Sequence, residues 1–351
     1  MKKSLLAVAV AAALPALAHA QSSVTMYGIL DASVEFSNDD ANSPTATGAN
    51  ADSTIRLNNG QQSGSRFGVR GVEDLGGGLR AVFTIEHRFN VDTGAQSAAP
   101  SFWNGQAFVG LAGGWGQLTA GRQYTPIFWA LLPADFAGYG FYNNWAGFTG
   151  YPTFTPQGPI RIDNSLSYRS PTFGGLTVYA AYAFGETTSS AATNGFGGGS
   201  GDILGIAAGW RLGGLYLAAG FHTIDNNAAN AVETVLAVAG SYRFGGFGVS
   251  LGYTQQEFVG PGEFSAILGS VSANLGSGRL VVNAAMTDPS GFTGLRNDSG
   301  LQLGVSYQMP MSKRTNWYVS LGMNDYEGAQ PTAARRIDGA MRASVGLRHQ
   351  F

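Results

Sequence analysis

From Val24 onward the chain alternates by parity. Val24, Met26, Gly28, Leu30, Ala32 and Val34 fall on one face of an extended segment, with Thr25, Tyr27, Ile29, Asp31, Ser33 and Glu35 on the other. Successive strand residues point to opposite faces, so the segment presents one apolar wall and one mostly polar wall. The division returns along the chain. Leu79, Ala81, Phe83 and Ile85 oppose Arg80, Thr84, Glu86 and Arg88; Leu280, Val282, Ala284 and Met286 oppose Arg279, Asn283 and Thr287; Leu301, Leu303, Val305 and Tyr307 oppose Gln302, Ser306 and Gln308. Near the end, Trp317, Val319, Leu321 and Met323 oppose Asn316, Ser320 and Asn324. A period of two held over so many segments restricts the chain to an all-β fold.

Two all-β arrangements alternate in this way: a soluble sandwich that hides its apolar face, and a membrane barrel that turns it to lipid. Sandwich strands average about 5 to 6 residues, whereas many segments here run near ten, the length of a membrane strand. The connectors sort by side as well. Asp74 to Gly78, Gly113-Gly114, Gly174-Gly175, Gly213-Gly214, Gly245-Gly246 and Gly276 to Gly278 are short and glycine-rich. Those that alternate with them, Ser37 to Asp52, Val91 to Asn104, Thr187 to Ser200, Pro289 to Asp298 and Glu327 to Ile337, are longer and polar. Short turns at one end and long loops at the other mark an outer-membrane barrel. Counting between connectors predicts a 16-stranded antiparallel transmembrane β-barrel, an even number and wide enough to hold water. In hydrocarbon no sheet edge can stay open, so the last strand must pair with the first. That strand sets Met341, Ala343, Val345, Leu347, His349 and Phe351 against Arg342, Ser344, Arg348 and Gln350. Arginine on a lipid face costs about 2 to 4 kcal/mol at mid-bilayer, so the arginine side is expected to be the lumen.

Composition agrees. The mean hydropathy is +0.01 and only 12% of residues are charged, yet after residue 20 no apolar run approaches the length of a membrane helix. Residues 1–20 combine Lys2-Lys3, an apolar run from Leu5 to Leu14 and Ala18-His19-Ala20. This is the pattern of a cleaved signal peptide, giving a mature barrel over 21–351 that leaves the cytoplasm. Without Lys2 and Lys3, the 20 basic residues become 18 against 22 acidic, a net charge near −4 that implies no nucleic-acid partner. Cysteine is absent, so there is neither a disulfide framework nor a thiolate metal site.

One stretch departs from the strand pattern. Residues 123–160 carry eleven aromatics, among them Tyr124, Phe128, Trp129, Phe136, Tyr139, Phe141, Tyr142 and Trp145, together with Pro126, Pro133, Pro152, Pro156 and Pro159, and only Asp135 carries a charge before Arg161. Loops beyond about 12 to 15 residues are usually functional or disordered, and disordered segments are poor in aromatics. The stretch is therefore expected to pack against the inside of the barrel and narrow it.

Ser23-Val24-Thr25-Met26-Tyr27-Gly28, Ser65-Arg66-Phe67-Gly68-Val69-Arg70-Gly71-Val72-Glu73-Asp74-Leu75-Gly76, Gly121-Arg122-Gln123, Asn164-Ser165-Leu166-Ser167-Tyr168-Arg169-Ser170-Pro171 and the terminal Phe351 resemble the Gram-negative general diffusion porins, above all their beta-proteobacterial branch. The resemblance covers the whole mature chain. It implies a homotrimer of sixteen-stranded barrels in the outer membrane, among its lipids and lipopolysaccharide. The third external loop of each folds inward, and terminal Phe351 is read by the barrel-assembly machinery. It also implies passive diffusion of small hydrophilic solutes and ions past wall arginines set against loop acids, with no cofactor. Carried over, the wall arginines are Arg66, Arg122 and Arg169 and the loop acid is Asp135. Alternation adds Arg56 and Arg70 as inward candidates and places Arg169 with Arg161, Asp163, Ser165 and Ser167. It places Arg122 with Leu118 and Ala120 on the lipid side, unless a bulge re-aims it. Several arginines against one loop acid favour anions, unless Glu73, Glu86 or Asp163 neutralises them.

Other chemistry is weakly supported. Gly248-Val249-Ser250-Leu251-Gly252 has nucleophile-elbow spacing but lies in an alternating strand, leaving Ser250 as a lumen hydroxyl. His87, His222 and His349 have no metal-ligand spacing; His87 and His349 fall on the outward face near strand ends, where an interfacial or trimer-contact role is the ordinary expectation. Asp39-Asp40 sits in the first long loop, where calcium is conceivable. The rival readings are a channel specific for a sugar or organic anion, distinguished by saturable flux, and a barrel adhesin that recognises partners through its external loops.

Overall fold

The computed structural model describes residues 22–38, 53–98, 101–142, 159–185, 201–226, 231–258, 262–291, 299–326 and 340–351. The 1–20 segment, Asp39-Asp40 and residues 143–158 of the aromatic stretch lie outside the described residues.

The strands, in order, are β1 (Ser23–Ser37), β2 (Thr54–Asn59), β3 (Arg66–Gly76), β4 (Leu79–Arg88), β5 (Ala107–Gly113), β6 (Gly116–Tyr124), β7 (Arg161–Arg169), β8 (Leu176–Ala183), β9 (Ile203–Leu212), β10 (Leu215–Asn226), β11 (Ala231–Phe244), β12 (Phe247–Glu257), β13 (Glu263–Leu275), β14 (Gly278–Ser290), β15 (Gly300–Pro310), β16 (Thr315–Tyr326) and β17 (Ala340–Gln350). They form one sheet. β2 and β3 are two pieces of a single stave, because β1 pairs with β2 through Ala32 to Ser37 and with β3 through Ser23 to Ile29. The seventeen strands therefore make sixteen staves. Closure comes where β1 meets β17, from Ile29 opposite Gln350 to Ser37 opposite Arg342. Gly28 and Phe351 extend the seam by exchanging two backbone hydrogen bonds of 3.1 Å. Every consecutive pair is antiparallel, which short turns permit. At Gly213, Gly245 and Gly276 the turns use φ of +56° to +60°, a conformation that costs glycine little.

The outer wall is apolar. Val24, Val34, Leu251, Ile267 and Val345 are each more than half exposed, which in water would be costly and in lipid is not. Rings collect next to the short turns: Trp115 stacks on Tyr168, Phe244 on Tyr242 and Phe247, and Tyr307 meets Trp317 edge-on. The polar tips of Tyr168, Trp210 and Tyr307 donate to turn carbonyls at Trp115, Gly174 and Leu275. This is an interfacial girdle that also satisfies carbonyls the hairpins leave over.

The apolar core lies inside the barrel. A six-residue helix, α1 (Pro126–Leu131), follows β6 and presses Ile127, Ala130 and Leu131 against inward residues of β8 to β11, among them Ala183, Ala207, Ala218 and Ala237, in an apolar cluster that continues to Ala266 on β13. The aromatic stretch is thus not uniformly loop, and Gln123 and Tyr124 belong to β6. Glycines of the wall form the seat. A Cβ on Gly220 would meet Ile127 at 2.6 Å, one on Gly248 would meet Phe136 at 2.8 Å, and one on Gly322 would meet Tyr142 at 2.5 Å. Small inward residues leave the volume that the inserted segment fills.

Closure makes a prediction at Gly28, whose position is covered by the Phe351 ring so closely that any Cβ would collide with it. Gly28→Leu is expected to displace Phe351 and destabilise the seam by about 1–3 kcal/mol, the usual cost of overpacking. Refolding yield in detergent, read by the mobility difference between folded and heat-unfolded protein on a gel, checks this against Gly114→Ala, where a Cβ meets open space.

Candidate functional site

The inserted segment is held by polar contacts of kinds the sequence contains but does not locate. Thr125 caps α1 by accepting from Phe128 N–H, and Pro126 occupies the first turn, where no amide donor is needed. The next amide, Ile127 N–H, donates to Nε2 of His222 on β10 at 3.4 Å, and His222 is fully buried. Tyr216 donates its hydroxyl to Ala130 O at 2.6 Å, and Arg243 donates to Pro133 O at 3.2 Å. Asp135 turns back on its own segment: its two oxygens accept from Ala137 N–H and Tyr139 N–H, each at 2.8 Å. Beside it the Phe136 ring lies between the guanidiniums of Arg243 and Arg279, 4.9 and 5.4 Å from the ring centre.

Two fully buried acids of β1 hold the segment between β2 and β3, where the stave leaves the wall. Asp31 accepts from Ser63 N–H at 2.7 Å and from the Tyr318 hydroxyl at 2.8 Å. Glu35 accepts from Arg56, from the Gln61 amide at 2.9 Å and from the Tyr142 hydroxyl at 2.6 Å. Gln61 in turn accepts from Phe141 N–H through its carbonyl. The inserted segment is therefore tied at one end to β10 and at the other, through Tyr142, to β1.

Between these ties, on the wall that faces α1, two arginines converge on one phenol and a third stands beside them. Arg88 Nη2 and Arg161 Nη2 both donate to the Tyr124 hydroxyl, at 2.6 and 2.8 Å. The Tyr124 ring stacks on Phe128 of α1, with centroids 3.9 Å apart. Arg66 lies directly across the β3–β4 ladder from Arg88, a like-charge pairing that costs stability unless compensated. Glu86 compensates in part, accepting from Arg88 Nε at 3.0 Å, from the Tyr27 hydroxyl at 3.1 Å and lying 3.9 Å from Arg66 Nη1. Three guanidiniums thus share one carboxylate, an excess of two positive charges beside the inserted helix. Among the described residues no group of three or more His, Cys, Asp or Glu could hold a metal ion.

A closed barrel with an inserted segment and a cationic inner wall is a channel architecture, and the sequence comparison decides its family. Residues 7–329 match the profile of Gram-negative porins. The chain belongs to the Gram-negative porin family. An outer membrane porin protein of Bordetella pertussis is 31% identical with 100% of both chains covered, and outer membrane porin protein 32 of Delftia acidovorans is also 31% identical over 100% of both. In structure the porin is similar to an anion-selective porin from Comamonas acidovorans, with a TM-score of 0.78, 26% identity, and coverage of 94% of this chain and 100% of that one. The porin resides in the Gram-negative outer membrane and forms a water-filled channel across it.

The arginines named from sequence occupy different places in this porin. Arg66 stands in the Tyr124 cluster. Arg56 is inside, bound to Glu35, while Arg70 lies over the Tyr27 ring at 5.4 Å. Arg169 is also inside, 5.8 Å from the Tyr179 ring. It sits at the short-turn end of β7, eight residues from Arg161, or about 26 Å along the strand at 3.3 Å per residue. Arg122 requires correction. β7 does carry a bulge here, with Asp163 and Asn164 opposite Arg122, but Gln123 and Ile162 on either side face inward, so Arg122 and Asp163 are on the outer face. They bond to each other at 2.5 Å, and Arg122 also donates to Asn104 O. Asp163 is therefore no inward acid either. The bulge, with Asn164 at φ +51°, breaks the parity that had grouped Asp163 with Ser165. Arg88, Arg161 and Tyr124 were not named as constriction residues from sequence, although parity already placed Arg88 and Arg161 inside; Glu86 was named there as a wall acid that could neutralise the arginines. Ser250 Oγ has no hydrogen-bond partner among the described residues, and His87 is outward, stacked on Phe102 at 4.2 Å.

Glu35 joins three donors from three segments, which generates a test. Glu35→Ala is expected to lower stability by about 2–3 kcal/mol, since buried donors are left without their acceptor, and Glu35→Gln by less because one acceptor oxygen remains. Thermal unfolding in detergent, followed by circular dichroism, measures both.

Proposed function

We propose that this porin is an anion-preferring diffusion pore, narrowest where the inserted helix faces Arg66, Arg88 and Arg161. The observation that carries the reading is the charge count at that level: three guanidiniums, one glutamate, and a loop acid, Asp135, whose oxygens are occupied by its own backbone. Fixed charge near a narrow aqueous path outweighs a small net charge of the whole chain. The anion-selective porin from Comamonas acidovorans supports the same sign. Transport involves no chemical step in this reading; Ser250, in a nucleophile-like spacing, has no base within hydrogen-bond reach among the described residues. Residues 1–20 serve as the export signal, Phe351 as the mark recognised during barrel assembly, and lipopolysaccharide surrounds the long-loop side. Three barrels associate through the outer face of β3 to β5, where Phe67, His87, Phe89, Phe102 and Trp103 form a continuous aromatic cluster.

The test is the zero-current potential across a planar bilayer under a KCl gradient. The wild-type porin is expected to be chloride-selective. A unit charge about 7 Å from the permeating ion in water is worth about 0.6 kcal/mol, gained by chloride and lost by potassium, so Arg66→Ala, Arg88→Ala or Arg161→Ala should each lower the chloride-to-potassium ratio roughly sevenfold at low salt. Arg122→Ala, on the outer face, should leave it unchanged. Potassium selectivity of the wild type would overturn the anion reading while keeping the channel.

A further inference from the structure

Charge on the β9 to β16 side of this barrel is segregated between the two ends of the strands. Around the short turns at 213–214, 245–246, 276–277 and 311–314, every charged side chain within three residues is basic: Arg211, Arg243, Arg279, Lys313 and Arg314. The opposite ends of the same strands carry Asp225, Glu233, Glu257, Glu263 and Asp288. On the short-turn side a recess of about 460 Å³ opens between β13 to β17 and the segment that leaves the wall before β3. Four cations line it, Arg279, Lys313, Arg314 and Arg348, with the amides of Gln62, Gln308 and Asn316 among their neighbours and no aspartate or glutamate.

Two of these cations are held in place. Arg348 donates Nε to Ser63 Oγ at 2.9 Å, and Arg279 lies against the Phe136 ring. Asn316 donates to Gln62 at 2.7 Å and Gln62 to Gln308 at 3.0 Å, so the amides are ordered as a chain. The carboxylates that act on this group from behind, Asp135 toward Arg279 and Asp31 toward Arg348, are bound by neutral donors and offset two of four charges. Lys313 and Arg314 are exposed and make no ion pair among the described residues.

We infer that this recess is a docking site for polyvalent oxyanions on the short-turn side of the lumen. Its Arg348, opposite Asp31 on β1, adjoins Arg66 of the Tyr124 cluster, which lies opposite Ile29 on the same strand. A monovalent ion gains little from such a site in water, but Coulomb attraction scales with ligand charge, so an anion of charge three or four is concentrated there selectively. The site makes the channel asymmetric: a polyvalent anion arriving from the short-turn side meets its own docking site before the narrow region, whereas one arriving from the long-loop side reaches the narrow region first. The inference rests on the anion-preferring reading above, to which it adds a ligand class and a side.

The probe is inorganic pyrophosphate, added to one side of a single porin assembly conducting KCl in a planar bilayer. Orientation is set by Gly114→Cys in this otherwise cysteine-free chain, from the side at which a bulky, membrane-impermeant thiol reagent modifies the turn. Half-reduction of the current should need about tenfold less pyrophosphate from the short-turn side. Arg279→Gln with Arg348→Gln should remove that difference, and Arg161→Gln should preserve it while lowering chloride preference. Lys313→Gln with Arg314→Gln, at exposed positions that leave folding intact, should weaken the short-turn-side effect about threefold. Equal potency from both sides, no effect of pyrophosphate on a chloride-selective channel, or persistence of the asymmetry in both recess variants would overturn the docking site and leave the anion preference standing. A potassium-selective wild type would overturn both.

Discussion

A backbone amide in hydrocarbon has no water to bond to, and that single constraint shapes this molecule. It forces the sheet to close, so β1 must find β17, and the seam is carried past the last strand residue by the Gly28–Phe351 exchange. Once closed, sixteen staves enclose a lumen far wider than a layer of side chains can fill. The sequence responds in two ways: polar inward residues keep the lumen wet, and one long segment is folded back into it. The apolar core of the protein is consequently a contact between that segment and one side of the inner wall.

That contact explains the glycine and alanine content better than strand preference does, since both residues are poor strand formers. On β8 to β11, where α1 packs, Ala183, Gly205, Ala207, Ala218, Gly220 and Ala237 leave the space that it occupies. The loss of wall packing is made good by Ile127, Leu131 and Phe136 from the inserted segment. On the opposite side, where Arg66, Arg88 and Arg161 stand, the helix presents Phe128 to the Tyr124 ring. The division of the lumen into an apolar seat and a cationic wall thus follows from which face of one short helix looks which way.

The distribution of acids then sets the field. Inward carboxylates are few and largely spent on structure: Asp31 and Glu35 of β1 hold the displaced segment and Tyr142, and Asp135 of the inserted segment closes a turn. A carboxylate that satisfies several buried donors contributes its charge to the lumen, but from a fixed place near the β1 wall. Glu86 alone sits among the three arginines. Charge selectivity in such a barrel is therefore decided by which acids the fold has already committed, a quantity that no net charge reveals.

Parity in the sequence was enough to place almost every strand side chain on its proper wall, including Arg122, whose outward position parity favoured over the position implied by family resemblance. It erred at Asp163, because a bulge and the left-handed Asn164 shift the phase between Ser165 and Ile162. Parity carries no information about height along the axis. Height comes from the stagger accumulated around a closed barrel, which is a property of all the pairings together. Arg169 and Arg161 lie on one strand with inward side chains, yet about eight residues of rise separate the short-turn mouth from the level of the helix. Arg88 and Arg161, distant in sequence, meet at Tyr124 only because β4 and β7 reach the same level at their long-loop ends. A sequence period fixes direction; the closed ladder alone brings charges to one plane, and it is at one plane that an ion is selected.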